Sequence, residues 1–421
     1  MNNEYRMMNK LMIRKRYIAG VLLVLISAAI SGQEVLNQYL QTAALNNPGL
    51  KAKFNEYMAA LEVVPQVKAL PDPQLAFGYF IKPVETRMGP QQFRVSASQM
   101  FPWFGTLKAR ENASVQTAKA KYELFEETRS KLFNNVKATY FNLYFNHKAI
   151  DITSENIEIL NTFRNLAIIK FEAGLVSSVD ELRVEIEIGE LENQLALLKD
   201  NNQALRVMFN NLLNVDNNQT VITPELLWDR DFPLPKEVAM DSINRLNHQL
   251  LSLEFQQESL RFRQEIATDM GKPSFIIGMD YTFIGKGDNN MAGTDAFMFP
   301  NVGITVPLYR NKYKAMVQEV VYLATAKEEE TTDKTNMLET LFENGWKEYQ
   351  DAGRRMNLFI TQLDLAQKSV KLLETDYSSG NMNFEEVLRM ERMVLKFNLE
   401  LEKARADKQA AIAFINYLMG K

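Results

Sequence analysis

The sequence predicts a mainly α-helical fold with a small β portion, in which one unit of helix, strand, strand, very long helix and long helix occurs twice. Three observations support this class. Short motifs recur at offsets of 200 to 206 residues, each half has a pair of runs that alternate apolar and polar side chains, and each pair precedes a very long helical pattern. We therefore divide the chain into a signal peptide (1–32), a first repeat (33–213), a linker (214–245) and a second repeat (246–421).

The internal repeat is recognised by the order of its motifs. The matched pairs are Asn47 to Leu50 with Asn247 to Leu250, Pro73 with Pro273, Phe101-Pro102 with Val306-Pro307, Gly174 with Gly380, and Leu182 with Leu388. A unit of this length is too long for a solenoid repeat. It indicates a pseudo-symmetric assembly in which the two halves supply equivalent parts of one wall.

The N-terminal segment has the features of a signal peptide. Basic residues precede an apolar stretch of about 14 residues, Tyr17–Ile30, and small residues follow at Ser31 and Gly32. A membrane anchor is the alternative, but this stretch is shorter than the roughly 20 residues that span a bilayer as a helix. Cleavage would remove five positive charges and one negative charge, which changes the formal charge from −4 to −8. A nucleic acid is therefore not an expected partner.

Two pairs of strands are predicted after helical segments. The strands are expected at about 73–81 and 92–101 in the first half, and at about 273–284 and 297–306 in the second. Apolar side chains alternate with polar or small ones, so each hairpin has one apolar and one polar face. Runs of about 9–11 residues have the length that crosses a bilayer when tilted. A half-buried hairpin of a soluble protein is the alternative, and the aromatic content together with the signal peptide favours the membrane.

The strands are followed by helical hairpins, predicted over about 106–213 and 312–419. Residues 106–172 contain neither glycine nor proline and, as one helix, would span about 100 Å. Heptad-like spacing of apolar residues predicts coiled-coil packing, with His147 as a packing residue rather than a ligand. Lys408 is the one charged break in the buried stripe that is predicted for the last helix, which consists of Val387, Met390, Val394, Phe397, Leu401, Ala404, Ala411, Ile415 and Leu418.

Each helical hairpin is expected to turn at a glycine. Gly174 and Gly380 follow the first helix of each pair, where a left-handed residue is common. A capping residue then precedes an acidic one by three positions, as Ser177 with Asp180 and as Asn383 with Glu386. The linker between the repeats is rich in Asn, Asp and Pro, and we expect it to lie outside the main packing.

Composition argues against an enzyme. The chain has no cysteine and two histidines, which excludes disulfides and leaves little basis for a zinc site or a Cys/His catalytic pair. It also lacks the nucleotide-binding, hydrolase and metalloprotease motifs. We predict no catalytic residue, no cofactor and no metal site.

Two strands that open into a very long helix, followed by a glycine-tipped helical hairpin, all duplicated, resemble the TolC-type outer-membrane efflux proteins. The resemblance covers essentially all of residues 34–421. It is carried by Ala44 to Leu50, by the strand exits Phe101-Pro102 and Val306 to Leu308, by the tips Glu172 to Leu175 and Ser379 to Asn381, and by Asn211 to Leu213.

This resemblance implies a homotrimer in the cell outer membrane. Four strands per chain would form a 12-stranded β-barrel, and the helices would form a trimeric tunnel through the periplasm. The protein would be a passive exit duct for substrates delivered by an inner-membrane pump through a periplasmic adaptor, a membrane fusion protein. The alternative is a periplasmic coiled-coil adaptor or scaffold without a barrel, which explains the helices and the signal peptide but not two matched strand pairs.

Three groups of functional residues are expected. Hairpin tips that contact the adaptor are assigned to Gly174, Leu175, Val176, Ser177, Gly380, Asn381 and Met382. Acidic residues that could close the periplasmic end are Asp180, Glu181, Asp376, Glu385 and Glu386, although helix capping alone would explain Asp180 and Glu386. Lipid-facing strand residues are Phe77, Tyr79, Phe93, Val95, Phe275, Ile277, Tyr281, Phe283 and Ile304.

A narrower resemblance concerns the substrate. Residues 98–108, and residues 179–183 followed by Glu190 to Asn193, are similar to the heavy-metal-efflux branch of the family, although Phe104 and Thr106 depart from its usual pattern. Heavy-metal cations are therefore one expected substrate class, with drugs or other small molecules as the other.

Overall fold

The computed structural model describes residues 32–174, 177–287, 293–378 and 384–421. The predicted signal peptide, apart from Gly32, lies outside the described residues. The helices are α1 (32–46), α2 (Pro48–Lys68), α3 (Thr106–Glu172), α4 (Val179–Leu213), α5 (Lys236–Leu246), α6 (His248–Asp269), α7 (Arg310–Ser378) and α8 (Phe384–Leu418). The strands are β1 (Gln74–Tyr79), β2 (Glu85–Thr86), β3 (Gly89–Phe101), β4 (Ser274–Ile284) and β5 (Ala296–Thr305). No described helix combines the length and the hydropathy needed to cross a membrane.

The chain forms two compact units, each assembled from both halves of the sequence. One unit contains residues up to Lys51, Glu126–Asn247 and Met337–Lys421, and the other contains Ala52–Phe125 and His248–Asn336. The first is helical apart from the linker, and the second contains the sheet. The two repeats along the sequence are therefore not the two units in space.

The repeat nevertheless has a structural counterpart inside the helical unit. The side-chain amide of Asn47 donates to the carbonyl of Leu212 at 3.0 Å, and that of Asn247 donates to the carbonyl of Leu418 at 2.9 Å. Each asparagine thus binds an end of the helix that closes its own repeat, where carbonyls lack partners within the helix. The Oδ1 atom of Asn47 also accepts from the backbone N–H of Leu50 at 3.1 Å. The first motif of each repeat is therefore a bridge to its last helix.

The sheet is antiparallel throughout, in the order β1-β3-β4-β5, with β2 paired to β3. The two predicted hairpins, β1 with β3 and β4 with β5, are joined by pairing of β3 with β4. Helices α3 to α6 separate the two hairpins in the sequence, and the pairing of β3 with β4 joins them into one sheet.

One expectation about packing is wrong. The linker does pack: Val221, Leu227 and Phe232 are buried, and α5 forms where no helix was predicted, with Ala239 and Ile243 fully buried. Apolar residues spaced along an Asn- and Asp-rich segment are enough to attach it to the helical unit.

The stripe predicted on α8 is confirmed over most of its length. Its buried members are Val387, Phe397, Leu401, Ala404, Ala411, Ile415 and Leu418. Met390 and Val394 are only half-buried, whereas Glu391, which was not predicted, is buried at 5% exposure. Lys408 is buried as predicted, and Glu391 is a second charged break.

Candidate functional site

The register of the sheet places all nine predicted lipid-facing residues on one face. Directly paired residues of antiparallel strands point to the same side. The pairs are Phe77 with Val95, Tyr79 with Phe93, Val95 with Tyr281, Phe93 with Phe283, Phe101 with Phe275, Gln99 with Ile277, and Phe275 with Ile304. Phe93 and Phe283 stack with ring centroids 3.8 Å apart. The face is therefore continuous across four strands.

This apolar face is exposed. Phe77 is 78% exposed, Tyr79 77% and Ile304 57%, although these side chains lie on hydrogen-bonded strands of the sheet. Water-soluble proteins rarely expose a contiguous apolar surface of this kind. An apolar solvent or partner is required on this side.

The opposite face holds a buried charge. The Asp280 carboxylate is 4% exposed, accepts from Arg94 Nε at 2.9 Å and accepts from the side-chain amide of Asn301 at 2.6 Å. Asp280 faces Ser96 in the register of β3 and β4. The polar faces of both hairpins were predicted, but the ion pair between Arg94 and Asp280 depends on a register that hydrophobic alternation alone does not specify.

The first hairpin turns at Gly174, as predicted. Gly174 has φ +73°, and its N–H donates to the carbonyl of Phe171 at 2.9 Å. A Cβ at this position would meet no atom within 4 Å, so the need for glycine comes from the left-handed backbone and not from crowding. Of the other predicted tip residues, Leu175, Val176, Gly380, Asn381 and Met382 lie outside the described residues, as does the cap residue Asn383.

The predicted cap at the start of α4 is wrong. The helix begins at Val179, and the residue before it, Ser178, has helical dihedral angles and no side-chain cap bond. The Ser177 hydroxyl accepts from the N–H of Val179 at 3.3 Å, and Asp180 pairs with Arg183 at 3.6 Å. Ser177 and Asp180 therefore do not form a reciprocal capping box.

Two of the predicted gate acids, Asp180 and Glu385, belong to an ion-pair network between α4 and α8. Arg183 bridges Asp180 and Glu385 at 3.6 Å each, and Arg392 contacts Glu187 at 2.9 Å and Glu385 at 3.7 Å. The sequence identified Asp180 and Glu385 but not the arginines, because ion pairs between helices require the packing of the two helices to be known.

The remaining acids are placed near the same helix ends. Glu386 pairs with Arg389 on its own helix, Glu181 lies in the first turn of α4, and Asp376 lies in the last turn of α7. Burial raises the pKa of Asp180, and the neighbouring Glu385 adds to this, while Arg183 opposes it. Acidic residues are therefore concentrated near the hairpin end, and three of them, Asp180, Glu385 and Glu386, form ion pairs with arginines.

An apolar cluster supports this end of the hairpin. Its buried members are Leu160, Phe163, Val184, Ile188, Leu191, Tyr377, Phe384, Val387 and Leu388, drawn from α3, α4, α7 and α8. Phe384 packs on Tyr377 with centroids 5.0 Å apart, and Lys170 lies over the Tyr377 ring at 3.7 Å and donates to its carbonyl. The four helices are thus fixed together close to the tip.

Comparison with known proteins agrees with this geometry. A profile of the outer membrane efflux protein family matches residues 39–214. A comparison with curated proteins finds no match. The solved outer-membrane channel OprN has a TM-score of 0.77 at 16% identity, covering 92% of this chain and 90% of that one.

Two further structures are similar over comparable lengths. The outer membrane protein VceC from Vibrio cholerae has a TM-score of 0.77 at 14% identity, covering 93% of this chain and 97% of that one. CusC, whose structures describe transmembrane channel formation, has a TM-score of 0.76 at 15% identity, with 92% of each chain covered. At these identities the solved structures show the fold. Residues 39–214 are similar to the outer membrane efflux protein family, and the chain as a whole has the fold of the solved outer-membrane channels OprN and CusC.

Proposed function

We propose that this outer-membrane efflux channel component works as the passive exit duct of a tripartite system. In this proposal three copies close a 12-stranded barrel, the helices continue it through the periplasm, and the hairpin ends meet a periplasmic adaptor bound to an inner-membrane pump. The exposed apolar face of the sheet carries the proposal, because a bilayer is the apolar solvent that would cover it. The outer edges of β1 and β5 have no partner strand among the described residues, which is consistent with closure by neighbouring copies.

The acids of the hairpin end would narrow the periplasmic opening in this assembly. Three copies of Asp180 and Glu385, each held by Arg183, would surround the axis and attract cations. Binding of an adaptor to residues around Gly174 and Ser177 would release the closure. Asp376, Glu181 and Glu386 are the other candidates for this role.

Heavy-metal cations are the first substrate class to test. The similarity of residues 98–108 and 179–183 to the heavy-metal branch supports this choice. The similar solved structures are 14–16% identical and carry no information about the substrate, so drugs and other small molecules are tested beside metals.

The test is complementation of a deletion strain with two substitutions on neighbouring residues of β3. Val95→Arg places a charge on the proposed lipid face, at a cost of about 2–4 kcal/mol near the bilayer midplane. Ser96→Arg places the same charge on the polar face beside Asp280. We expect the deletion strain to become sensitive to copper, zinc or small toxic molecules, Ser96→Arg to restore resistance, and Val95→Arg to fail and to be depleted from the outer membrane. Equal behaviour of the two variants would contradict the lipid assignment.

A further inference from the structure

Part of the linker is fixed to α8 beside a cavity. Lys408 Nζ lies 2.6 Å from Asp229 Oδ1 and 2.8 Å from Asp231 Oδ1. The indole N–H of Trp228 donates to the side-chain carbonyl of Gln409 at 3.0 Å. Two ion pairs and a hydrogen bond within four residues hold this segment in one position, so the space next to it is preformed.

The cavity has a volume of about 490 Å³, which is in the range of small-molecule sites. Its walls come from α1, α3, the linker and α8. The apolar and aromatic lining is Leu36, Leu40, Phe141 and Trp228, and amide side chains are supplied by Gln33, Asn37, Gln409 and Asn416. A ligand with an apolar body and one polar group matches such a lining.

The charges of the cavity do not balance. Lys137 lines it, is half-buried, and has no ionic partner among the described residues. Asp231, the acid in the lining, is already bound to Lys408. Arg230 also lines the cavity and is exposed, and its guanidinium lacks an ionic partner in the described part of the chain.

An unpaired cation that is partly withdrawn from water is costly. Burial lowers the pKa of Lys137, which is the expected response of an ammonium group without a counter-ion. One negative charge beside Lys137 would remove this cost, and Arg230 could contact it from the open side.

We propose that this cavity binds a small organic monoanion, with its carboxylate against Lys137 and Arg230 and its apolar body against Phe141 and Trp228. Arg230 is exposed and can be solvated by water, so one negative charge is enough to give the half-buried Lys137 a partner, whereas inorganic phosphate would lack contacts with the apolar walls. The site contains no residue of the sheet or of the hairpin tips. It is independent of the proposed export function.

The experiment uses the full-length protein in detergent with three probes of similar size. Benzoate carries the negative charge, benzyl alcohol is neutral and benzylamine is positive. We expect calorimetry to detect benzoate binding that is at least tenfold tighter than binding of the other two probes and of inorganic phosphate, and we expect benzoate to change the fluorescence of Trp228.

Substitutions then assign the site. Lys137→Met is expected to weaken benzoate binding at least tenfold and Lys137→Arg to retain it, while Lys131→Met, on an exposed position of the same helix, leaves it unchanged. Arg230→Gln, at an exposed position, is expected to weaken binding several-fold even if Lys137→Met fails to fold. Trp228→Phe should remove the fluorescence change and keep the binding. The proposal is overturned if the wild-type protein does not bind benzoate, if benzyl alcohol binds equally well, or if folded Lys137→Met binds as the wild type does.

Discussion

At the scale of single residues, Gly174 has a backbone that only glycine adopts at low cost. Its φ is +73°, and an added Cβ would meet no atom within 4 Å. A substitution at this position would therefore strain the backbone without causing a steric clash. The spacing of glycine after a long helical pattern predicted this conformation from sequence. The cap predicted at Ser177 is wrong, because a hydroxyl can bind several nearby N–H groups and the sequence does not choose among them.

Gly174→Ala is expected to destabilise the helical unit by about 1 kcal/mol. The matched control is Gly189→Ala, which lies inside α4 with no atom within 4 Å of the added methyl group. Because alanine is a better helix former, this change is expected to stabilise by about 0.5–1 kcal/mol. Thermal unfolding of the two variants in detergent tests whether Gly174→Ala lowers the stability and Gly189→Ala raises it. Destabilisation of equal size in both variants would contradict the turn assignment.

Glu391 gives the helical unit a pH dependence near neutrality. It is 5% exposed, and burial followed by the nearby Glu374 raises its pKa to about 7 from 4.5. The folded state therefore binds a proton more tightly than the unfolded state. The resulting stability is fully present below pH 4.5 and is lost as the pH rises through 7.

Glu391→Gln is expected to remove most of this dependence. Above about pH 8 it should stabilise the protein, by an amount on the order of 3 kcal/mol, since a glutamine has no charge to bury. Melting temperatures measured from about pH 5 to pH 9 test this, with the exposed Glu158→Gln as the control. A wild-type melting temperature that does not fall between about pH 6 and pH 8 relative to Glu391→Gln would rule out the carboxyl as the cause.

At the scale of elements, the periodicity of the sequence located most of the fold. The predicted strands at about 92–101 and 273–284 correspond to β3 and β4, and the helical hairpins correspond to α3 with α4 and α7 with α8. Period-2 and heptad patterns are properties of neighbouring residues, so they are visible in one sequence. The pairing of Arg94 with Asp280 and the packing of the linker depend on which distant elements meet, which no local pattern records.

The linker is attached to α8 by an ion-pair cluster in which the lysine is buried and the two aspartates are exposed. The side chain of Lys408 is 8% exposed, whereas those of Asp229 and Asp231 are 57% and 80% exposed. The double substitution Asp229→Asn and Asp231→Asn would leave a buried ammonium without partners, and we expect a loss of about 3 kcal/mol. Lys408→Met leaves two carboxylates that water can solvate, so a smaller loss is expected.

A comparison of these variants by thermal unfolding tests the asymmetry. The control is Lys368→Met, which breaks the exposed pair of Lys368 with Asp364 and should change stability by less than about 0.5 kcal/mol. If Lys408→Met proves more harmful than the double aspartate variant, burial of the ammonium is not the main cause of the lost stability.

At the scale of the whole molecule, the duplication and the fold point to one class of protein. Asn47 and Asn247 bridge to Leu212 and Leu418 at equivalent places, which gives the sequence repeat a physical basis. The alternative of a periplasmic adaptor or scaffold without a barrel does not explain the sheet, in which the two predicted hairpins are joined. The substrate was not predictable beyond a class, since an open duct need not carry a specific binding site.

The most direct test of the account is the location and native mass of the expressed protein. Cells are fractionated, the outer membranes are extracted with detergent, and the mass of the extracted protein is measured by native mass spectrometry. The account predicts that the protein is found in the outer membrane and that its mass is three times that of one mature chain. A soluble periplasmic monomer would contradict both the membrane assignment of the sheet and the proposed duct.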